Sequence, residues 1–262
     1  MTIRLLLPVL ALLASGCASS EPLAARLPSA CDEGYAWLDR ATGTAEVSYR
    51  YALLALDVYD RPDGLGPPPG VRRDSLVQNQ RTGFAAAVYS SDRVPHAVVA
   101  FRGTSPLSAR DWIAGNLLAL QNGDGLALLD RVRKTQPSGA HVAVTGHSLG
   151  GGIALSASYR RERTPAFAFD ASFRYTTGPA VDNVRVLVST DGEVLSAVRR
   201  LRSAGKRERT VEACRPGNPI AQHDARRLAL CLTQIAAIHD PDARAVLQRN
   251  GIARAYGECP GR

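Results

Sequence analysis

The sequence predicts an α/β fold in which a mainly parallel sheet is flanked by helices. Short apolar segments rich in β-branched residues alternate with segments of helical periodicity. Several of the short segments are almost continuously apolar, as strands buried on both faces are. One of them, Val142–Thr145, runs through a Gly-x-Ser-x-Gly turn into an apolar helical segment. The 262 residues, 45% of them apolar, suffice for one sizeable core.

The amino terminus has the pattern of an export signal. A basic start, Met1–Arg4, precedes the apolar run Leu5–Leu13, which is too short to span a bilayer. The following Ala14-Ser15-Gly16-Cys17 resembles a bacterial lipoprotein processing box, in which the cysteine becomes the lipidated first residue. The alternative is plain secretion, with cleavage after the small residues and Cys17 left as an ordinary cysteine.

These features predict a signal peptide over residues 1–16, a lipid anchor and tether over 17–45, and one folded domain over 46–262. Ala18 is neutral, which in lipoproteins of this kind goes with outer-membrane sorting. We therefore expect a protein anchored in the bacterial cell envelope and facing the periplasm, or a secreted protein if Cys17 carries no lipid.

The remaining cysteines form an even set, as two disulfides in an oxidising compartment require. Three pairings are possible, and the sequence does not choose among them. The four residues are Cys31, Cys214, Cys231 and Cys259.

The first half of the chain predicts three helical segments and two strands ahead of the strand that enters the Gly-x-Ser-x-Gly turn. Tyr49–Tyr59 has apolar residues at helical spacing, and the Pro- and Gly-rich segment 61–70 ends that helix. Phe84–Tyr89 and Ala97–Phe101 are apolar runs on either side of a polar turn, as in neighbouring strands. A helical segment is expected to open at Asp111-Trp112-Ile113, with another helix at Leu126–Val132.

The second half continues the alternation of strands and helices. Two further strands are predicted at Ala166–Asp170 and Val184–Val188. Helical periodicity follows at Val194–Leu201 and again from His223 to His239.

The Gly-x-Ser-x-Gly turn at Gly146–Gly150 has the features of a nucleophile elbow. Such a turn holds Ser148 in a strained conformation between strand and helix, and its glycines allow the two to approach closely. The N–H of Leu149 then lies in the first turn of the helix, where it favours developing negative charge. An ordinary Gly-rich turn is the alternative. His147 is the variable position of the motif, so we expect it to point away from the serine.

A serine nucleophile needs a base and an acid, and with this motif both follow it in the chain. His223 and His239 are the histidines that do so, and His223 is favoured because it lies in a loop before a helix. The acid is expected in the loop after the Val184–Val188 strand, where Asp191 and Glu193 are the candidates. Asp182 fits a turn before that strand. Asp170, at the end of the preceding strand, is an outside candidate for the acid.

Three blocks together resemble the class 3, fungal-lipase-like family of α/β hydrolases. They are Val98–Thr104, Asp111-Trp112-Ile113 and Val144–Gly151, in the family's order. The resemblance implies that Thr104 supplies a second oxyanion donor beside Leu149. In the family the acid commonly precedes a hydrophobic pair, a register that Glu193 fits, whereas Asp191 fits the usual residue type.

The chain between Trp112 and Val142 is shorter than in typical members, so we expect a compact α/β hydrolase with little or no lid. The function expected is that of a serine hydrolase that cleaves carboxylic esters, namely those of acyl lipids, as a lipase, phospholipase or esterase. No metal or organic cofactor is implied, and the membrane partner is reached through the N-terminal lipid. The alternative is a catalytically silent envelope lipoprotein that uses the fold as a binding module.

The net charge of +8 includes a basic run from Arg199 to Arg209. Such a run could meet phosphate groups, but aromatic residues do not interleave it, and we interpret it as a solvated helix face. Nucleic acid is therefore not an expected partner.

Overall fold

A computed structural model of the chain describes residues 26–93, 95–103, 115–173, 175–178, 182–190, 192, 209–214, 218 and 222–259. Within these residues, seven strands form one sheet whose spatial order equals their order in the chain. The strands are β1 (Val71–Asn79), β2 (Phe84–Ser91), β3 (Ala97–Phe101), β4 (Val142–His147), β5 (Ala166–Phe169), β6 (Arg185–Thr190) and β7 (Arg209–Ala213). The helices are α1 (Trp37–Asp57), α2 (Gly115–Thr135), α3 (Leu149–Arg160), α4 (Ala225–Ala236) and α5 (Pro241–Arg249).

The sheet is antiparallel from β1 to β3 and parallel from β3 to β7. Every residue of β3, β4 and β5 is buried, because these strands lie inside the sheet and are covered on both faces. The predicted α/β fold with a mainly parallel sheet flanked by helices is confirmed.

Helices cover both faces of the sheet, and alternation along β5 shows which helices cover which face. Phe167 and Phe169 pack into a cluster with α1 and α4, whereas Ala166 and Ala168 pack with α2 and α3. Small alanines on the second face allow α3 to come close to the strands that carry the site.

Helix α1 begins at Trp37, earlier than the sequence pattern indicates, and runs across the boundary predicted at residue 46. Leu38, Ala41 and Ala45 are buried in the cluster with α4. The folded domain therefore includes part of the range 17–45 that the sequence assigns to the tether.

Two disulfides are present, as the even set of cysteines predicts. Cys31 pairs with Cys259 across 228 positions, which ties the segment before α1 to the end of the described chain. Cys214 pairs with Cys231 across 17 positions, and this bond joins the residue after β7 to α4.

Some expectations concern residues outside the described ranges. These are the signal peptide and Cys17, the helix opening at Asp111-Trp112-Ile113, the missing lid, and the helix at Val194–Leu201. Among the helices that are described, none combines the length and the apolar character needed to cross a bilayer.

Candidate active site

Ser148 lies between β4 and α3 in the strained conformation that the motif predicts. Its φ of 55° and ψ of −122° are rare for a residue with a side chain. The backbone at the end of β5 holds it there. The Ser148 N–H donates to the Phe169 carbonyl at 2.9 Å, and the Ser172 N–H donates to the Ser148 carbonyl at 2.8 Å. The strain is therefore opposed by two backbone hydrogen bonds, one to the last residue of β5 and one to Ser172 just beyond it.

The glycines of the motif are required by close packing. A Cβ at Gly146 would lie 2.5 Å from the Gly150 carbonyl oxygen and 2.8 Å from the Gly151 nitrogen. A Cβ at Gly150 would lie 2.7 Å from the carbonyl carbon of Phe101, at the end of β3. The first glycine thus admits the helix beside its own strand, as predicted, whereas the second admits the helix beside β3.

His223 contacts the serine directly. Its Nε2 lies 3.0 Å from Ser148 Oγ, within hydrogen-bond reach. The residue stands immediately before Asp224, whose side chain caps α4 by accepting the Arg227 N–H at 2.9 Å. The cap fixes the start of the helix, so the loop delivers His223 to the serine from a defined point.

His239 lies beyond the other end of α4 and lines a different cavity, together with Asp39 and Glu258. The 12 residues of α4 span roughly 18 Å at the rise of an α-helix. His239 therefore lies far from Ser148, whereas His223 touches it.

Three groups surround this pair: His147 and Tyr59, which the sequence does not place in the site, and Asp170, which it offers only as an outsider for the acid. The His147 ring centroid is 4.9 Å from that of His223, and its Nδ1 is 3.4 Å from the hydroxyl of Tyr59. His147 Nε2 is 3.9 Å from Asp170 Oδ2, and the Asp170 side chain is completely buried. The variable residue of the motif, expected to point away from the serine, thus packs against the histidine that contacts it.

Tyr59 connects His147 to Gly103, which lies just beyond the end of β3. A Cβ at Gly103 would lie 2.6 Å from the Tyr59 hydroxyl and 2.6 Å from the His147 carbonyl oxygen. Burial raises the pKa of Tyr59 to about 12, so the phenol keeps its proton. The sequence assigns Tyr59 to a helix face that packs in the core, and its contacts to His147 depend on tertiary structure alone.

Of the other site candidates, Leu149 is described and the remaining three are not. Leu149 is the first residue of α3, so its N–H is one of the donors that have no partner within the helix. Thr104 follows the described Gly103, and Asp191 follows the described Thr190. Thr104, Asp191 and Glu193 themselves lie outside the described ranges, and their roles stay predictions.

The arrangement places a hydroxyl, an imidazole and a buried carboxylate in one small volume. One side-chain nitrogen or oxygen each of His147, Asp170 and His223 lies within 4.8 Å of the others. Residues of these types also ligate metals. The contact from His223 to Ser148 additionally provides for proton transfer from a nucleophile, which is the chemistry of acyl transfer.

Solved structures of fungal lipases are similar to this chain. The Rhizomucor miehei lipase propeptide complex is 20% identical, with a TM-score of 0.44, over 62% of this chain and 64% of that one. A triacylglycerol lipase from Penicillium expansum is 14% identical, with a TM-score of 0.47, over 68% of this chain and 82% of that one. The chain thus spans just under two thirds of the Rhizomucor miehei structure.

Sequence comparison is more specific about the middle of the chain. No curated protein sequence matches it. Residues 50–213 match the family model described as phospholipase-like, the Tle-like phospholipase domain. The match covers more than half of the chain and includes β1 to β7, Ser148 and Asp170.

Proposed function

The chain belongs to the family of Tle-like phospholipase domains, and we propose that it hydrolyses the carboxylic esters of phospholipids, with Ser148 as nucleophile and His223 as base. The contact of 3.0 Å between His223 Nε2 and Ser148 Oγ supports these roles most directly. It joins a strained serine to an imidazole, the side chain that most often acts as a general base in catalysis.

The proposed reaction combines these two residues with the predicted oxyanion donors and the predicted acid. His223 takes the proton of Ser148 as Oγ attacks the ester carbonyl, and the tetrahedral oxyanion is stabilised by the N–H of Leu149 and by Thr104. His223 then protonates the leaving alcohol, and an acyl group remains on Ser148. Water, deprotonated by the same histidine, attacks the acyl-enzyme and releases the fatty acid. Asp191 or Glu193 orients His223 and stabilises its cation.

Two substitutions test this assignment, and a third serves as their control. Ser148→Ala and His223→Ala should both abolish hydrolysis, by on the order of a millionfold if the residues act as one unit. His239→Ala is the matched control, because it removes an imidazole from the opposite end of the same helix. It should retain full turnover. A phosphatidylcholine vesicle and a triacylglycerol emulsion, offered separately, would measure the preference for phospholipid.

A fluorophosphonate probe separates this proposal from a catalytically silent binding module. The probe should label the intact protein and leave Ser148→Ala unlabelled. Absence of labelling in folded wild-type protein, or full activity of His223→Ala, would contradict the proposed function.

We also propose that the domain is exported and anchored through a lipid on Cys17, at the envelope and facing the periplasm. The processing box at residues 14–17 supports this location, and so do the two disulfides, which persist in oxidising compartments. Cys17→Ser should move the protein from the membrane fraction to the soluble one, because acyl chains supply the apolar area for binding. Unchanged fractionation would exclude the lipid anchor.

A further inference from the structure

Asp170 occupies an unfavourable position for its residue type. It directly follows β5, it is completely buried, and its φ is 40°. Burying a carboxylate costs free energy unless hydrogen bonds compensate, and a left-handed backbone is more easily adopted by glycine. The contacts of the carboxylate therefore indicate what the residue does.

Both carboxylate oxygens bind one residue of the next strand. The Thr190 N–H donates to Oδ1 at 2.8 Å, and the Thr190 hydroxyl donates to Oδ2 at 3.2 Å. Thr190 is the last residue of β6 and is itself buried. The next residue in the chain is Asp191, the first candidate for the acid.

The backbone around Asp170 binds the nucleophile on the other side. The preceding residue, Phe169, accepts the Ser148 N–H, and Ser172 donates to the Ser148 carbonyl. The carboxylate also lies beside His147, 3.9 Å from its Nε2. Asp170 thus lies between the serine turn and Thr190, the last residue of β6.

We propose that Asp170 is a positioning residue, which fixes Thr190 at the end of β6 relative to Ser148 and His223, immediately before the predicted acid in the sequence. The inference rests on the proposed function and adds a second carboxylate to the site. Asp170 acts through Thr190, so its loss should lower turnover by misplacing the acid and should leave ester binding intact.

Two substitutions at residue 170 separate positioning from backbone strain. Asp170→Gly removes both hydrogen bonds to Thr190 without a conformational penalty, since glycine readily adopts a positive φ. Asp170→Asn tolerates that φ and keeps one acceptor for the Thr190 N–H. We expect kcat to fall about a hundredfold in the glycine variant, the effect of a displacement near 1 Å. The asparagine variant should lose clearly less, and KM should stay unchanged in both.

Substitutions of Thr190 test the same link from its other end. Thr190→Val removes the hydroxyl bond alone and should lower kcat less than Asp170→Gly, while Thr190→Ser should retain kcat. Thr233→Val is the matched control, because Thr233 is equally buried but its hydroxyl bonds Ala229 within α4. That variant should lose stability and keep its kcat.

Measurement of kcat and KM on one phospholipid ester, with thermal denaturation of each variant, tests whether Asp170 positions Thr190. Wild-type kcat in Asp170→Gly, or equal losses in the glycine and asparagine variants, would overturn positioning through Thr190. A loss in Asp170→Asn as large as in Ser148→Ala would also overturn it, since Asp170 would then be the acid itself. If Ser148→Ala stays active, the proposed function fails instead, so the two failures are distinguishable.

Discussion

Gly150→Ala tests whether the close approach of α3 to β3 builds the site. Gly150 is the second residue of α3, and alanine is favoured over glycine within a helix by about 1 kcal/mol. Helix propensity alone would therefore predict a more stable protein. The surroundings of the position predict the opposite.

A Cβ at residue 150 would lie 2.7 Å from the carbonyl carbon of Phe101 and 3.0 Å from that of Arg102, and closer still to the Phe101 oxygen. Carbon atoms pack at about 3.5 to 4 Å, so helix and strand must separate by on the order of 1 Å. All these atoms belong to backbone, which cannot rotate away. Overpacking of this kind costs about 1 to 3 kcal/mol, which outweighs the gain in helix propensity.

The same displacement should impair the chemistry, because the helix carries Ser148 and Leu149 at its start. A shift near 1 Å can lower turnover about a hundredfold. Thermal denaturation and the rate of fluorophosphonate labelling measure the two effects separately. Gly150→Ala should melt below the wild type and label more slowly.

Gly123→Ala is the matched control in α2, where a Cβ would meet nothing within 4 Å. Relief of backbone entropy should stabilise that variant by about 0.4 to 1 kcal/mol, and it should label at the wild-type rate. A Gly150→Ala protein that melts no lower than the wild type and labels equally fast would refute the packing argument.

Two further predictions concern bonds away from the serine turn. Replacing Cys214 and Cys231 together by serine should lower kcat, because this disulfide closes the loop that contains His223. Replacing Cys31 and Cys259 together should lower the melting temperature and leave kcat unchanged. Equal kcat in the two double variants would contradict a role of the first disulfide in placing the base. Hydrogen bonding from Arg161 lowers the pKa of Asp130, so its contribution to stability is present at neutral pH and lost as the pH falls through the lowered pKa. Asp130→Asn should therefore destabilise by at most about 1 kcal/mol at pH 7, with no difference from the wild type in melts at strongly acidic pH.

The strands that the sequence predicts well are those whose burial is uniform. β3 and β4 are continuously apolar apart from Thr145 and the turn residues, because neither face meets water. β1 was missed because it is an edge strand, and its exposed Arg72, Arg73 and Asp74 hide the alternation. The first half of α1 was missed for another reason, since its buried positions include Ala41, Thr44 and Ala45, which contrast little with exposed ones.

The site divides in a similar way. Ser148 and His223 could be found because a local motif and chain order restrict them. His147 and Tyr59 could not, since their contacts are with neighbours distant in sequence. Asp170 could be named only as an outsider for the acid, because its bonds to Thr190 depend on the pairing of β5 with β6. The hydroxyl of Tyr59 meets a ring 88 positions away, and a helical face predicts core packing equally well.

The order of the strands in the sheet determines which strand ends are neighbours, and the sequence alone does not give that order. In a parallel sheet the carboxyl ends of the strands lie at one edge. Because β3 to β6 are parallel, the residues at or just after their ends lie along the same edge, namely Gly103, Ser148, Asp170 and Thr190. Only the observed order places β5 between β4 and β6. That order places Asp170 between the turn of Ser148 and Thr190, so that one buried carboxylate can fix the end of β6 relative to the nucleophile.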